Sequence, residues 1–156
     1  MAKASTRDFE IYVELETSGT AANTTLDLTD YVDIADNQAF EVHEVDIVLD
    51  PQESFPTTNT ESKFQLADSN IQAFVSHSDR TSLYVARQTF DAAALGMWHQ
   101  ESFSSLTPLI VSKTLWLRSE SSFGTPDFTI RLKGRIVTPS AKDYMALVLT
   151  QTGNVA

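Results

Sequence analysis

Two stretches near opposite ends of the chain alternate strictly between apolar and polar residues. Residues 9–16 read FEIYVELE, and residues 128–137 read FTIRLKGRIV. This period of two is typical of a strand that buries one face. The polar faces carry three carboxylates in the first stretch and three cations in the second: Glu10, Glu14, Glu16, Arg131, Lys133 and Arg135. We therefore predict that the two strands pair antiparallel, with opposite charges facing each other across the pair.

The predicted pairing accounts for these charges without a catalytic role. Carboxylates two residues apart on one strand face lie about 7 Å apart, a spacing that inverting glycosidases use. Cations directly across the pair explain the same carboxylates as structural, because each opposite-charge pair contributes about 0.2–1 kcal/mol. The pairing also brings the two ends of the chain into one sheet, which restricts the topology strongly.

The rest of the sequence indicates short strands separated by turns. Phe40 to Leu49 is a strong strand whose inward series shifts parity between Val42 and Val45, which indicates a bulge. Further strands are predicted at residues 25–28, 63–67, 71–75, 82–88 and 109–118. Strands at this density, without alternating helices, favour a sandwich. With the chain ends paired in one sheet, the predicted fold is all-β: an antiparallel eight-stranded jelly-roll sandwich with little helix.

Two segments have helical character. Residues 90–100 are rich in Ala and start near Asp91, which is suited to cap a helix, so a short helix is predicted there, although Gly96 weakens it. The segment after Pro139 begins with a Ser-x-x-Asp helix start and continues at helical spacing, and a terminal strand is the alternative. The sandwich is therefore predicted at residues 8–138, with a short N-terminal extension at 1–7 and a C-terminal helix or strand and tail at 139–156.

Composition and charge exclude several classes of protein. The chain contains no cysteine, so it has neither disulfides nor thiolate metal sites. Residues 1–78 hold fifteen acidic and three basic residues, a net charge of −12, whereas residues 79–156 carry +2. Residues 1–7 supply only Lys3 and Arg7, so no direct binding of nucleic acid is expected. No apolar run approaches the roughly 18 residues of a membrane span, and the N-terminal residues lack the apolar core of a signal peptide, so we expect no transmembrane segment and synthesis in the cytoplasm.

The three histidines are interpreted as structural. His43 shares strand parity with the apolar residues that follow it, which favours a core or interface position. His77 lies two residues before Asp79, an arrangement that suits acid–base work, but an ordinary polar turn is favoured. His99 is expected to pack beside Trp98. The sequence has no His-x-His pair, so the metal site of a cupin-type barrel is not expected.

Four aspartates recur at every third residue: Asp27, Asp30, Asp33 and Asp36. Carboxylates can bind calcium, but this ladder lacks the glycine and the terminal Glu of an EF-hand loop, so a solvated acidic face is favoured. The sequence has no Gly-x-Ser-x-Gly motif and no Gly-rich phosphate loop. We therefore predict no catalytic residue, no cofactor and no metal, and we do not expect an enzyme.

Trp116 is opposite in parity to Leu115 and Leu117, so it could project from the other face of its sheet. An exposed tryptophan there suits stacking against a sugar ring, whereas a position in the sandwich core is favoured. A non-catalytic carbohydrate-binding β-sandwich module is therefore kept as the alternative function.

The order of elements resembles that of the single jelly-roll capsid proteins of icosahedral viruses. A strand begins almost at once, a long alternating strand lies near the end, and LDLTDYVDIADNQAFEVHEVDIVLDP, residues 26–51, resembles the short-strand, corner and long-strand passage of such coat proteins. The resemblance implies a self-assembling structural protein of the virion, made in the host cytoplasm. Its implied partners are copies of itself and other capsid proteins. Many such proteins carry a basic N-terminal arm, and this chain departs from them there. A trimeric receptor-binding or cytokine-like jelly roll is a further alternative.

Overall fold

The computed structural model describes residues 3–4, 6–15, 21–33, 35–49, 58–76, 78–79, 81–103, 109–110, 114–122 and 127–152. Within these residues the chain forms ten strands, one 3-10 turn at Leu28–Asp30 and one helix. The bounds are β1 Lys3–Ala4, β2 Phe9–Leu15, β3 Ala21–Asp27, β4 Ala39–Leu49, β5 Thr60–Ala67, β6 Ser82–Asp91, β7 Gly96–Phe103, β8 Leu109–Ile110, β9 Thr114–Ser121, β10 Phe128–Thr138 and α1 Ala141–Thr152.

Two antiparallel sheets make up the sandwich. In the first sheet, β10 lies between β4 on one side and β1 and β2 on the other, and β8 pairs with the outer edge of β4. In the second sheet the strand order is β3-β9-β5-β6-β7. The N-terminal strand β2 and the C-terminal strand β10 are therefore neighbours, with Leu15 opposite Phe128 and Phe9 opposite Gly134.

The path of the chain between the sheets is that of a jelly roll. The chain crosses from one sheet to the other at each step from β2 to β5. It stays within the second sheet from β5 to β7, and it crosses again at each step from β7 to β10. Eight strands in two sheets, β2-β10-β4-β8 and β3-β9-β5-β6, are the double-sheet arrangement of that fold. The prediction of an all-β antiparallel jelly-roll sandwich is confirmed, and β1 and β7 are additions to it.

Apolar side chains from the inward faces of both sheets form one core. Alternation along β2 and β10 buries Ile11, Leu15, Ile130 and Leu132 of the first sheet. The rings of Phe64 in the second sheet and Phe128 in the first meet edge to face, with centroids 4.9 Å apart. Each large apolar side chain that is fully buried contributes about 1.5–3 kcal/mol, so this alternation holds the two sheets together. The residues of this core include Ile11, Val13, Leu15, Phe40, Val42, Val45, Ile47, Phe64, Leu66, Leu115, Leu117, Phe128, Ile130 and Leu132.

A bulge in β4 sets the direction of its side chains. Lys133 of β10 faces Glu44, and the next residue, Gly134, faces Val42, so His43 is the extra residue. The predicted shift of parity between Val42 and Val45 is thereby confirmed, because both are buried although they are three residues apart.

Residues 90–100 do not form the predicted helix. The Asp91 carboxylate does accept hydrogen bonds from the backbone N–H groups of Ala93 and Ala94, as a helix cap would. The turn ends after four residues, however, and β7 pairs along its whole length with β6. Strand pairing therefore overrides the helical preference of the alanines. Residues 71–75 are irregular rather than the predicted strand, and β3 begins at Ala21, four residues before the strand predicted at 25–28.

The C-terminal segment is a helix rather than a strand. Ser140 Oγ donates to the Asp143 carboxylate and accepts from the backbone N–H of Asp143, which is one half of a capping box. Tyr144 is buried against Ala39 and Val137 at the far end of the first sheet. The predicted division into an extension, a sandwich and a tail stays a prediction.

Candidate functional site

The outward face of the first sheet is covered by charged side chains. They come from β2, β4, β10 and the residues before β2: Asp8, Glu10, Glu14, Glu41, Glu44, Asp46, Arg131, Lys133 and Arg135. We call these residues the charged face. They project outward because the alternating residues of the same strands fill the core.

Arg131 connects the three central strands of the charged face. Its Nη1 lies 3.5 Å from Oε1 of Glu10 in β2, and its Nη2 lies 3.0 Å from Oδ2 of Asp46 in β4. Glu44 approaches the same Nη2 at 3.8 Å. The charge of Glu10, followed by those of Asp46 and Glu44, raises the pKa of Arg131 above its ordinary value. The guanidinium therefore stays protonated and links β2 to β4 across β10.

The register determines which of the predicted charge pairs meet. Lys133 is directly opposite Glu10, whereas Glu14 is opposite Thr129. Arg131 reaches Glu10 diagonally, past its own opposite residue Tyr12. Glu16 lies outside the described residues. Among the residues that the structure describes, neither Glu14 nor Lys133 makes an ion pair.

A second cluster forms around Glu41, beside the bulge. Arg135 donates to Glu41 Oε1 through Nε at 3.1 Å and through Nη2 at 3.0 Å. His43 Nε2 lies 2.6 Å from the same oxygen, and its Nδ1 lies 3.1 Å from Oδ2 of Asp8. The hydrogen bond to Glu41, with help from Asp8 and against the effect of burial, raises the pKa of His43. The predicted core or interface position of His43 is wrong as to the core, because the bulge turns this residue outward into a carboxylate cluster.

The aspartate ladder consists of turn caps and solvated side chains. Asp27 accepts from the backbone N–H and the hydroxyl of Thr29, at 2.9 and 2.8 Å, and so caps the 3-10 turn. Asp33 accepts from the backbone N–H of Ala35 at 2.9 Å. Asp30 and Asp36 are exposed. Among the described residues there is no group of three or more acids or histidines that could hold a metal ion.

Asp79, Trp116 and His99 lie on the second sheet and its loops. Asp79 accepts from the backbone N–H and hydroxyl of Thr81, which lowers its pKa, and His77 lies outside the described residues. Trp116 is half-buried on the outer face, as its parity allowed, so the favoured core position is wrong. His99 is exposed beside Glu101, with 3.4 Å between Nε2 and Oε2, rather than packed.

A pocket on the outer face of the second sheet has no counterpart in the sequence analysis. It has a volume of about 580 Å³, and its lining includes Lys63, Phe74, Val85, Arg87 and Gln100. The segment 68–76 forms one wall, because buried Gln65 donates to the carbonyl of Val75 and accepts from its N–H, both at 3.0 Å. A polar residue in the middle of the strand predicted at 63–67 is the one sequence signal for this contact.

Asp68 lies at the start of that segment and is unusual among the acids. Both carboxylate oxygens are buried and have no hydrogen-bond partner among the described residues. Burial raises the pKa of Asp68 to about 6, and the nearby charge of Asp79 acts in the same direction.

The tip of the β6–β7 hairpin exposes apolar side chains. Leu95 is 84% exposed at a turn position with φ of 50°, and Trp98 is 56% exposed. The Trp98 ring lies over Gly96, where an added Cβ atom would be 3.1 Å from ring atom Cη2. Met97 is also exposed. Large apolar side chains grouped in this way are typical of contact surfaces.

Comparisons with known proteins were made by sequence and by structure. No protein-family model matches the sequence, and no curated protein matches it. A solved chain from Desmodium yellow mottle tymovirus is similar at 11% sequence identity and a TM-score of 0.34, and the match covers 85% of this chain and 86% of that chain. The jelly-roll assignment rests on the strand order itself. The described residues contain no helix that is long and apolar enough to cross a membrane.

Proposed function

We propose that this chain is a self-assembling single jelly-roll capsid subunit. The strand order β2-β10-β4-β8 over β3-β9-β5-β6 carries the proposal, because viral capsids are among the principal uses of this fold. Exposed apolar side chains support an assembling protein over a solitary one. They occur at the β6–β7 tip and on α1, where Met145 and Leu149 are exposed four residues apart and so share one face of the helix.

The partners proposed are further copies of this chain and other capsid proteins, and the proposed location is the virion. Direct contact with nucleic acid through the charged face is not part of the proposal. Carboxylates outnumber cations there, and Arg131 and Arg135 already bind Glu10, Asp46 and Glu41. A phosphate backbone requires free Lys or Arg side chains, and the net negative charge of this face would repel it.

Particle size tests the proposal directly. The purified full chain would be examined by light scattering coupled to size exclusion over a range of concentration and ionic strength, and then by negative-stain electron microscopy. Rings, capsomers or shells are the expected result. A strict monomer under every condition would overturn the proposal.

A carbohydrate-binding module is the second candidate, favoured by one observation. Trp98 has the same strand parity as Gln100, which lines the pocket of the second sheet, so an exposed indole and a pocket that contains hydrogen-bonding side chains share one face. Aromatic rings beside hydrogen-bonding side chains are suited to stack on sugars. Retardation of a monomer in polysaccharide gels, abolished by Trp98→Ala, would support the module and count against the capsid subunit.

A further inference from the structure

Two cations stand directly opposite each other in the second-sheet pocket. Lys63 of β5 is opposite Arg87 of β6, and Gln100 of β7 is opposite Arg87 on its other side. All three residues line the pocket. Like charges directly opposite each other in a strand pair are destabilising. This row of side chains therefore requires a negative charge beside it.

The described residues supply only part of that negative charge. Oε1 of Glu61 lies 3.0 Å from Nε of Arg87, and its Oε2 lies 3.8 Å from Nζ of Lys63. Glu120 of β9 is opposite Lys63, but its carboxylate binds Nη2 of Arg118 at 2.8 Å. One carboxylate is thus shared by two cations, and the two Nη groups of Arg87 have no partner within the described part of the chain.

The carboxylate of Glu101, which also lines the pocket, does not neutralise this row. Its Oε2 accepts from the Tyr84 hydroxyl at 2.7 Å and lies 3.4 Å from Nε2 of His99. Glu101 is next to Gln100 in β7, so the two side chains point to opposite faces of the sheet. The side chains of Lys63 and Arg87 therefore leave one positive charge uncompensated at the pocket.

An apolar surface lies beside these donors. Phe74 and Val85 line the same pocket, and both are half-buried. The guanidinium of Arg118 lies 5.5 Å from the centre of the Phe74 ring, and Gln65 binds the backbone of the next residue, Val75, so the ring is held in place. The volume of about 580 Å³ is within the range of small-molecule sites.

We propose that this pocket binds a small organic monocarboxylate whose apolar part lies against Phe74 and Val85. A planar carboxylate matches the two Nη groups of Arg87, which can donate to its two oxygens. Nζ of Lys63 and the amide of Gln100 are further donors in the same row. This site is separate from the contacts between copies that the proposed function requires.

Charge decides between a carboxylate and a phosphate, because the arginine fork fits both. One uncompensated positive charge matches a ligand that carries a single negative charge. The whole chain carries a net charge of −10, which repels a doubly charged anion more strongly than a singly charged one. The apolar wall adds affinity for an organic ligand and none for an inorganic ion.

Benzoate is the probe for the first experiment, and saturation-transfer difference NMR is the measurement, because it suits a monomer and a large assembly equally. The expected dissociation constant is on the order of 1 mM. Benzamide has the same ring without the charge, and acetate has the charge without the ring, so each should bind at least about tenfold more weakly. Equal binding of benzoate and either analogue overturns the proposal, as does the absence of saturation transfer at about 20 mM benzoate.

Variants of the row locate the site. Arg87→Gln and Lys63→Gln each remove one cation and should weaken benzoate binding about tenfold and about threefold, respectively. Glu61→Gln removes the carboxylate that competes for the same donors, and it should tighten binding at least about threefold. Lys133→Gln removes a cation from the outer face of the other sheet and is the matched control, with no change expected.

These variants are expected to fold, because removing either of two facing cations relieves their repulsion. Urea unfolding of each full-length variant checks this. An unchanged dissociation constant in both Arg87→Gln and Lys63→Gln overturns the site, and so does equal weakening by Lys133→Gln, which would indicate a general effect of charge. Weaker binding in Glu61→Gln would also overturn it, because Glu61 would then act with the ligand rather than against it.

Discussion

Gly134 in β10 lies so close to the backbone of Glu41 in β4 that no side chain fits between them. A Cβ atom placed on Gly134 would stand 2.9 Å from Cζ of Phe40, and nearer still to the carbonyl oxygen of Glu41. The close approach occurs at the bulge that leaves His43 without an opposite residue. It therefore sets both the curvature of β4 and the position of the Glu41 cluster on the charged face.

Replacing this glycine should destabilise the whole sandwich. Gly134→Ala forces the new methyl group against backbone atoms, which cannot rotate away as a side chain can. Overpacking of this kind costs about 1–3 kcal/mol, and we expect a loss of that size in the free energy of unfolding measured in urea.

Gly96→Ala is the matched control, because its new Cβ atom would meet the exposed ring of Trp98 rather than backbone. That ring can swing into solvent, so the expected loss is below about 0.5 kcal/mol. Equal losses of unfolding free energy in the two variants would show that the close approach at the bulge does not require glycine at position 134.

Features that a local sequence pattern signals were predictable, including the pairing of β2 with β10, and contacts without such a pattern were not. Alternation in β2 and β10 indicates their pairing, the shift of parity between Val42 and Val45 indicates the bulge, and the Ser140–Asp143 spacing indicates the start of α1. Each of these signals lies within a few residues of the chain.

The misread elements depend on partners that are distant in sequence. The alanines after Asp91 favour a helix, but pairing with β6 makes the following residues a strand. In the sequence Gln65 is an ordinary polar strand residue, and its partner Val75 is identified only by the fold, in which segment 68–76 lies against it. Which acid meets which base also depends on register. Glu14 is opposite Thr129, four positions from Lys133, and an even offset of this kind keeps the same face outward.

The register predicts which charge reversals are coupled. Glu10→Lys and Arg131→Glu should each weaken the fold, and the double reversal should restore part of the loss, because these side chains are 3.5 Å apart. Glu14→Lys and Lys133→Glu should instead be additive, because Glu14 faces Thr129, four positions along β10. Both double-mutant cycles are measured by the free energy of unfolding in urea of the four single and the two double variants. Coupling in the Glu14–Lys133 cycle alone would contradict the register.

His43 should make the stability of the fold depend on pH. Its folded-state pKa is raised by Glu41 and Asp8, so the folded protein holds the proton more tightly than the unfolded chain does. The resulting stabilisation is fully present below the unfolded pKa, about 6.5, and is lost as the pH rises through the higher folded value. His43→Gln should remove this part of the pH profile of the free energy of unfolding. His99→Gln serves as the control, and a profile unchanged by His43→Gln would contradict the cluster.

Asp68 should give a pH dependence over a lower range. Its pKa rises from 3.8 unfolded to about 6 in the fold, so the folded state binds the extra proton between these values. Stability therefore falls as the pH rises from about 4 to about 6, and stays lower above that. Asp68→Asn should stabilise the protein at pH 7 by on the order of 1 kcal/mol, less than the full shift implies because the buried amide would also lack hydrogen-bond partners. A destabilised Asp68→Asn variant at pH 7 would show that the ionised carboxylate has a favourable partner.

Gln65 binds segment 68–76, which forms one wall of the second-sheet pocket. Its replacement should detach this segment before the sandwich unfolds. The buried amide binds both backbone groups of Val75 and the hydroxyl of Ser82. Gln65→Met keeps the volume but leaves these groups without partners, at a cost of about 1–3 kcal/mol. Gln88→Met, which removes a single longer hydrogen bond to the carbonyl of Ile47, is the control and should cost less.

Hydrogen exchange at the Val75 amide distinguishes local release from general weakening. In Gln65→Met this amide should exchange much faster while the amides of β10 keep their protection, because segment 68–76 is tied to the sheet by the Gln65 side chain and not by strand pairing. In Gln88→Met the Val75 amide should exchange as in the native chain. If Val75 stays protected in Gln65→Met, the wall is held by other contacts and the pocket does not depend on this one side chain.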